Sequence, residues 1–183
     1  MRRSTTFALA TGAAAALTTG VLLTLPSDAA PRSATPANRA QAAPASGLPT
    51  VTFLPLRLAQ RAAEAAIGDC RRQGQQVAAT VVDAEGVVIA QLRSDGVTAA
   101  SLDASKGKAY AAAGFRSPTD ALARNASSNP GLLQVPGFVI LAGGLPISSG
   151  GRVVAGIGVG GAPSGAIDQT CAQAGIAAIA GSL

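Results

Sequence analysis

The sequence predicts an α/β fold of the α+β kind, a small antiparallel sheet covered by helices, and three observations predict it. Two short turns with glycine, Asp83-Ala84-Glu85-Gly86 and Ser149-Gly150-Gly151, join β-branched runs into hairpins, and hairpins demand antiparallel pairing. Helical patterns lie at both ends of the domain, about 54–73 and 164–180, where they can cover one sheet face. Hydrophobic residues make up 48% of the 183 and charged residues 13%, enough apolar surface for one core and one domain. With aromatics at 3% and no Trp, that core has to be built from Val, Ile, Leu and Ala.

Leu54 to about Gln73 reads as an amphipathic helix. Leu58, Ala62, Ala66 and Cys70 recur every fourth residue, and Arg57, Arg61, Glu64 and Arg71 occupy the other side. Gly74 is a suitable stop. Gln76–Val82 and Val87–Arg93 are the first two strands. Ser101, as N-cap, opens a second helix to about Phe115, and Pro118 opens a shorter one to about Asn125. Phe138–Ala142 reads as a third strand, followed by a bend at Gly143-Gly144-Leu145-Pro146 where Gly144 and Pro146 are structural. Ile147-Ser148 and Arg152–Val159 form the second hairpin, and the last helix places Ile167, Cys171, Ala174 and Ala178 on one face. The expected order is α-β-β-α-α-β-β-β-α.

The N-terminal 50 residues read differently. Arg2 and Arg3 precede an uncharged apolar run to Leu25, and Ser27-Asp28-Ala29 supplies small residues for cleavage, the pattern of an export signal over 1–29. Residues 30–50 are Pro-, Ala- and Ser-rich and have too few large apolar side chains to offset ordering entropy, so they read as a disordered linker. The domain is then 51–183. The formal charge of +5 owes much to this leader: Arg2, Arg3, Arg32 and Arg39 lie in it, leaving ten basic against eight acidic residues beyond it. No basic stripe interleaved with aromatics appears, which argues against a nucleic-acid partner. In the oxidising compartment that export implies, the even pair Cys70 and Cys171 reads as a bridge, the alternative being two buried small hydrophobes.

No His occurs anywhere, which removes Ser-His-Asp and Cys-His catalytic sets and His-based metal sites. The eight carboxylates of the domain are scattered, and nothing in their spacing pairs two of them in a cleft. The chain therefore reads more readily as a binding module than as an enzyme. Gly156-Ile157-Gly158-Val159-Gly160-Gly161 fits a dinucleotide fingerprint in spacing, yet no acidic residue stands about 20 residues further on, where one would hold a ribose. Strand glycines that let a helix or a ligand approach explain it better.

Four pieces in order, Ser94-Asp95-Gly96, Lys106-Gly107-Lys108-Ala109-Tyr110-Ala111-Ala112-Ala113-Gly114-Phe115, Gly143–Ile147 and Val154–Ala162 followed by Asp168 and Cys171, resemble the GlcG/HbpS family of haem-binding and haem-degrading-type proteins. The likeness runs from about Leu54 to Leu183. It implies a profilin-like α/β/α sandwich around an antiparallel sheet and assembly into homo-oligomers. For the exported branch it implies an extracellular haem- and iron-binding protein working with a membrane sensor kinase. Haem iron takes an axial donor from His, Cys, Met or Tyr. With no His, and Met1 the sole Met, Tyr110 is the conventional donor left if the cysteines are bridged. Lys106, Lys108 and threonines such as Thr119 are weaker donors, and the two lysines are also candidates for haem propionates. Asp95 and Gly96 are candidates to close the pocket, with Phe115 at its edge. Ala111 stands where family members carry a hydroxyl donor after the Lys-Ala-Tyr motif. Two further readings stay open: an exported structural or interaction domain without ligand, and a small-molecule enzyme with the glycine-rich strands as a pocket floor.

Overall fold

A computed structural model describes residues 51–183; the expected signal at 1–29 and the linker at 30–50 lie outside the described residues. The elements in chain order are α1 (Leu56–Arg72), β1 (Ala78–Asp83), β2 (Val88–Arg93), α2 (Ala99–Phe115), α3 (Thr119–Asn125), β3 (Gly144–Ser149), β4 (Arg152–Gly160) and α4 (Gly165–Ala177). The four strands form one sheet in the order β2-β1-β4-β3, antiparallel throughout. The fold is α+β, with α1 and α4 packed on each other against one face and α2 on the other.

Strand periodicity explains the two unequal layers. Ala79 and Val81 of β1, with Ala155, Ile157 and Val159 of β4, point into one core with Leu58, Ala62 and Ala66 of α1 and Cys171 and Ala172 of α4. Full burial of each of the larger aliphatic side chains contributes about 1.5–3 kcal/mol. The alternate residues of β4 are Gly156, Gly158 and Gly160, and a Cβ on Gly156 or Gly158 would overlap the α2 backbone at Ala109 or Ser105. One face of the strand is thus thick and apolar, and the other is bare so that a helix can lie directly on it. That is the role of the glycine repeat.

Helix α2 starts earlier than Ser101. Thr98 is its N-cap, accepting from the Ser101 N–H, and Ser101 lies inside the first turn. Helix α1 ends as expected, with Gly74 at φ 74° and its N–H donating to Arg71 O.

The expected strand at Phe138–Ala142 is not one. These residues follow a short 3-10 turn (Pro130–Gln134) and cross the outside of α2, where Val139 N–H donates to Gly107 O at 3.2 Å. A Cβ on Gly107 would clash with Val139 at 2.5 Å, and Phe138 lies 3.3 Å from where one on Gly114 would be. The run is apolar because it covers a helix, and it joins no ladder of the sheet. The third strand instead begins at Gly144 and includes Pro146, tolerated because β3 is an edge of the sheet. Only Gly143, at φ 120°, is left of the expected bend.

Candidate functional site

Helix α2 carries most of the candidate residues, and it is enclosed on two sides. Ser105, Ala109 and Ala113 face the sheet, while Gly107 and Gly114 face the 137–139 segment. Residues two apart on a helix lie about 200° around the axis from each other. Lys106 and Lys108 consequently point in different directions: Lys106 is exposed and Lys108 is 4% exposed.

The Lys108 ammonium donates to Asp168 Oδ2 at 2.7 Å, and both side chains are almost fully enclosed. Asp168 Oδ1 accepts the Ala162 N–H at 3.2 Å. Burial pushes the Asp168 carboxyl above its ordinary value, against the opposing pull of the Lys108 hydrogen bond and charge and of Ala162. A Cβ on Gly143 would stand 2.9 Å from Lys108 Nζ and 2.8 Å from Asp168 Cβ, so the positive-φ glycine roofs the pair. The pair also borders a cavity of about 370 Å³ whose wall includes Leu141, Gly161 and Ala166. The sequence placed Lys108 beside Lys106 as a propionate donor; the structure gives its charge a partner already. Asp168 sits in the first turn of α4, as the mate of a lysine 60 residues earlier.

Tyr110 shares a side of α2 with Lys106, one turn further on. Its half-buried ring lies across Gly86 of the β1–β2 turn, where a Cβ would overlap it, and passes 3.6 Å from the Cβ position at Gly137. Gly86 has φ 88°, as the turn requires, and the same missing side chain makes room for the phenol. Phe138 stands edge-on to Tyr110 with centroids 4.5 Å apart, and Phe115 edge-on to Phe138 at 5.2 Å. Three of the five aromatic residues thus form one row. Phe115 is 37% exposed, and Leu133 and Leu141 are more open still. Phe138, read from sequence only as part of a strand, is the link in this row.

Asp95 and Gly96 are not part of it. They follow β2, at the end of β1 opposite the Gly86 turn, about 20 Å away along a six-residue strand. There they border a shallow cavity of about 260 Å³ with Thr98, Ser101 and Gly161. The Thr119 hydroxyl is engaged too, donating to Leu141 O at 2.6 Å and accepting from Gly144 N at 2.9 Å, which anchors the start of β3. Cys70 and Cys171 are joined as a disulfide that ties α1 to α4, with Cα atoms 5.5 Å apart.

The donor chemistry fits a haem at the aromatic row: an oxygen donor, a wall of apolar edges and an ammonium one helical turn away. The fit is to an open surface, since the cavities described above lie elsewhere. Among the described residues no three His, Cys, Asp or Glu side chains gather as a metal-binding group.

The model of the family described as "Haem degrading protein HbpS-like" matches residues 54–177. A crystal structure of a Streptomyces reticuli HbpS double mutant is 41% identical over 74% of this chain and 93% of that one, with a TM-score of 0.70. The Klebsiella pneumoniae protein ORFY is 25% identical over 73% and 94%, with a TM-score of 0.69. A structure of a PduOC–haem complex, at 22% identity and a TM-score of 0.64 over 70% and 96%, shares the fold. No curated protein matches the chain in sequence.

Proposed function

The chain belongs to the family of HbpS-like haem-degrading proteins, and from that premise we propose that it binds haem on the outer side of α2, at the Tyr110–Phe138–Phe115 row. The observation that carries the proposal is the half-buried phenol at one end of an aromatic row, with the exposed Lys106 one turn before it. Tyr110 would supply the oxygen donor, Phe115 and Phe138 the apolar edges for the macrocycle, and Lys106 the partner for a propionate. Haem supplies any redox chemistry when bound; the chain's own part is to hold and orient it and to shield one face. Iron in this reading arrives as the centre of haem. The open side of the row, where Phe115 is 37% exposed, supports a second copy of the chain packing there and closing it.

Titration of the protein with hemin tests the reading. A Soret band that saturates at one equivalent is expected, with affinity reduced about tenfold or more in Tyr110→Phe and several-fold in Lys106→Ala. A spectrum indistinguishable from free hemin would overturn it, leaving the reading of a fold kept for interaction alone. Light scattering with and without hemin reports whether copies associate.

Export belongs to the same proposal. The 1–29 segment has the pattern of a removable signal, and a disulfide is at home outside the reducing cytosol. N-terminal sequencing of protein recovered from culture medium, starting near Ala30, is the expected result; an intact Met1 on cell-associated protein would refute it.

A further inference from the structure

We infer that the chain carries a second site, for a small doubly charged oxyanion, between Arg71 and Arg93 at the end of the sheet remote from Tyr110. The cavity there, about 220 Å³, is lined by Ile67, Arg71, Gln76, Arg93, Ser94 and Asp95. Three separate stretches build it: the last turn of α1, the loop into β1, and the end of β2 with the residues just after it.

Four features identify the ligand class. Neither Arg71 nor Arg93 takes part in an ion pair among the described residues, although other arginines of the domain do. The Arg93 guanidinium is held in place by donation of Nη1 to Val97 O at 3.1 Å, which leaves its remaining donors for a partner. Ser94 is 7% exposed, and its Oγ is buried with no hydrogen-bond partner, a condition that an acceptor in the cavity would relieve. Gln76 adds an amide at the rim. Two planar forks, a hydroxyl and an amide around a space of this size match a phosphate or a small polycarboxylate, and guanidinium groups recognise both through the same paired N–H geometry.

Asp95 sets the limit on charge. With two guanidinium groups against one carboxylate, the lining carries a surplus of one positive charge. A ligand is therefore favoured when its own charge faces the arginines and a hydroxyl or protonated oxygen faces Asp95. The space is too small for a macrocycle. This site stands or falls apart from the haem proposal, because none of its residues touches the aromatic row.

Calorimetric titration of the full chain with inorganic phosphate, and separately with the dicarboxylate malate, at an ionic strength held constant with sodium chloride, tests it. One saturable site per chain is expected for at least one of the two, and the tighter of them names the source. Arg71→Gln and Arg93→Gln should each weaken it tenfold or more and Ser94→Ala several-fold, with unchanged circular dichroism. Arg124→Gln, which removes an exposed arginine of α3, should leave it unchanged. Absence of saturable heat with both anions overturns the inference, as does equal weakening by Arg124→Gln and Arg93→Gln, which would reduce the effect to net charge. The hemin titration of Arg93→Gln should match wild type, which separates the two sites.

Discussion

Replacing Lys108 by Met leaves the Asp168 carboxylate inside the fold with Ala162 N–H as its remaining donor. Breaking one partner of a buried pair typically costs about 3–5 kcal/mol, because the other charge stays desolvated. The pH dependence has a definite sign. Burial raises Asp168 above the ordinary 3.8, so its contribution to stability is fully present below that value and is lost as pH rises through the raised one. Without the ammonium, Asp168 rises further. Urea unfolding of Lys108→Met should therefore show its largest deficit near neutral pH and a smaller one below 3.8, where the carboxyl is protonated in both states. An equal deficit at both ends would mean that lost packing, not charge, is responsible. The same residue shows how far the sequence can be read. The lysine pair stands out in the string Lys106-Gly107-Lys108, but the helical angle between the two already separates them. What no local pattern contains is the distance from Lys108 to Asp168 across 60 positions.

At the scale of elements, contact between α2 and β4 depends on having no side chain between them. Gly158→Ala would place a methyl group against Ser105 O and the Ala109 backbone, atoms that cannot rotate away. Overpacking of this kind costs about 1–3 kcal/mol. Its expected signature is a lower denaturation midpoint together with loss of the buried Thr80–Ser105 hydroxyl contact of 2.6 Å, since the helix must lift. Gly150→Ala, in open space at the β3–β4 turn, tests the alternative that glycine loss alone is responsible: it meets no neighbour, and only its φ of 56° opposes it. Thr98→Ala should cost about 1 kcal/mol through the lost cap of α2. These elements were legible in the sequence because each carries its own period or turn signal, and α1, β1, β2, β4 and α4 all fall within a few residues of their expected bounds. The 138–142 run was not, because a stretch of Phe, Val, Ile and Leu has the same composition whether it pairs with a strand or covers a helix. Only the glycines opposite, Gly107 and Gly114, distinguish the two, and they lie in another element.

For the molecule as a whole, the weak point is an alanine- and glycine-rich core in which few side chains are large. Ala62 and Ala66 of α1 meet Gly175 of α4 almost backbone to backbone, a close contact that buries little area per residue. The Cys70–Cys171 link ties these two helices across 101 residues of sequence. In the chain-entropy account a loop of that length restricts the unfolded chain by about 4–5 kcal/mol, a large share of the 5–15 kcal/mol of a typical domain. The Cys70→Ser, Cys171→Ser variant, or the wild type under dithiothreitol, should then melt roughly 15 °C lower. Both cysteines are fully enclosed, so reduction should be slow in the native state and follow unfolding. If the double variant keeps its midpoint within about 3 °C, the alanine contacts suffice and the bridge is incidental. A large loss would mean instead that the domain reaches full stability only where thiols are oxidised, a requirement that export would satisfy.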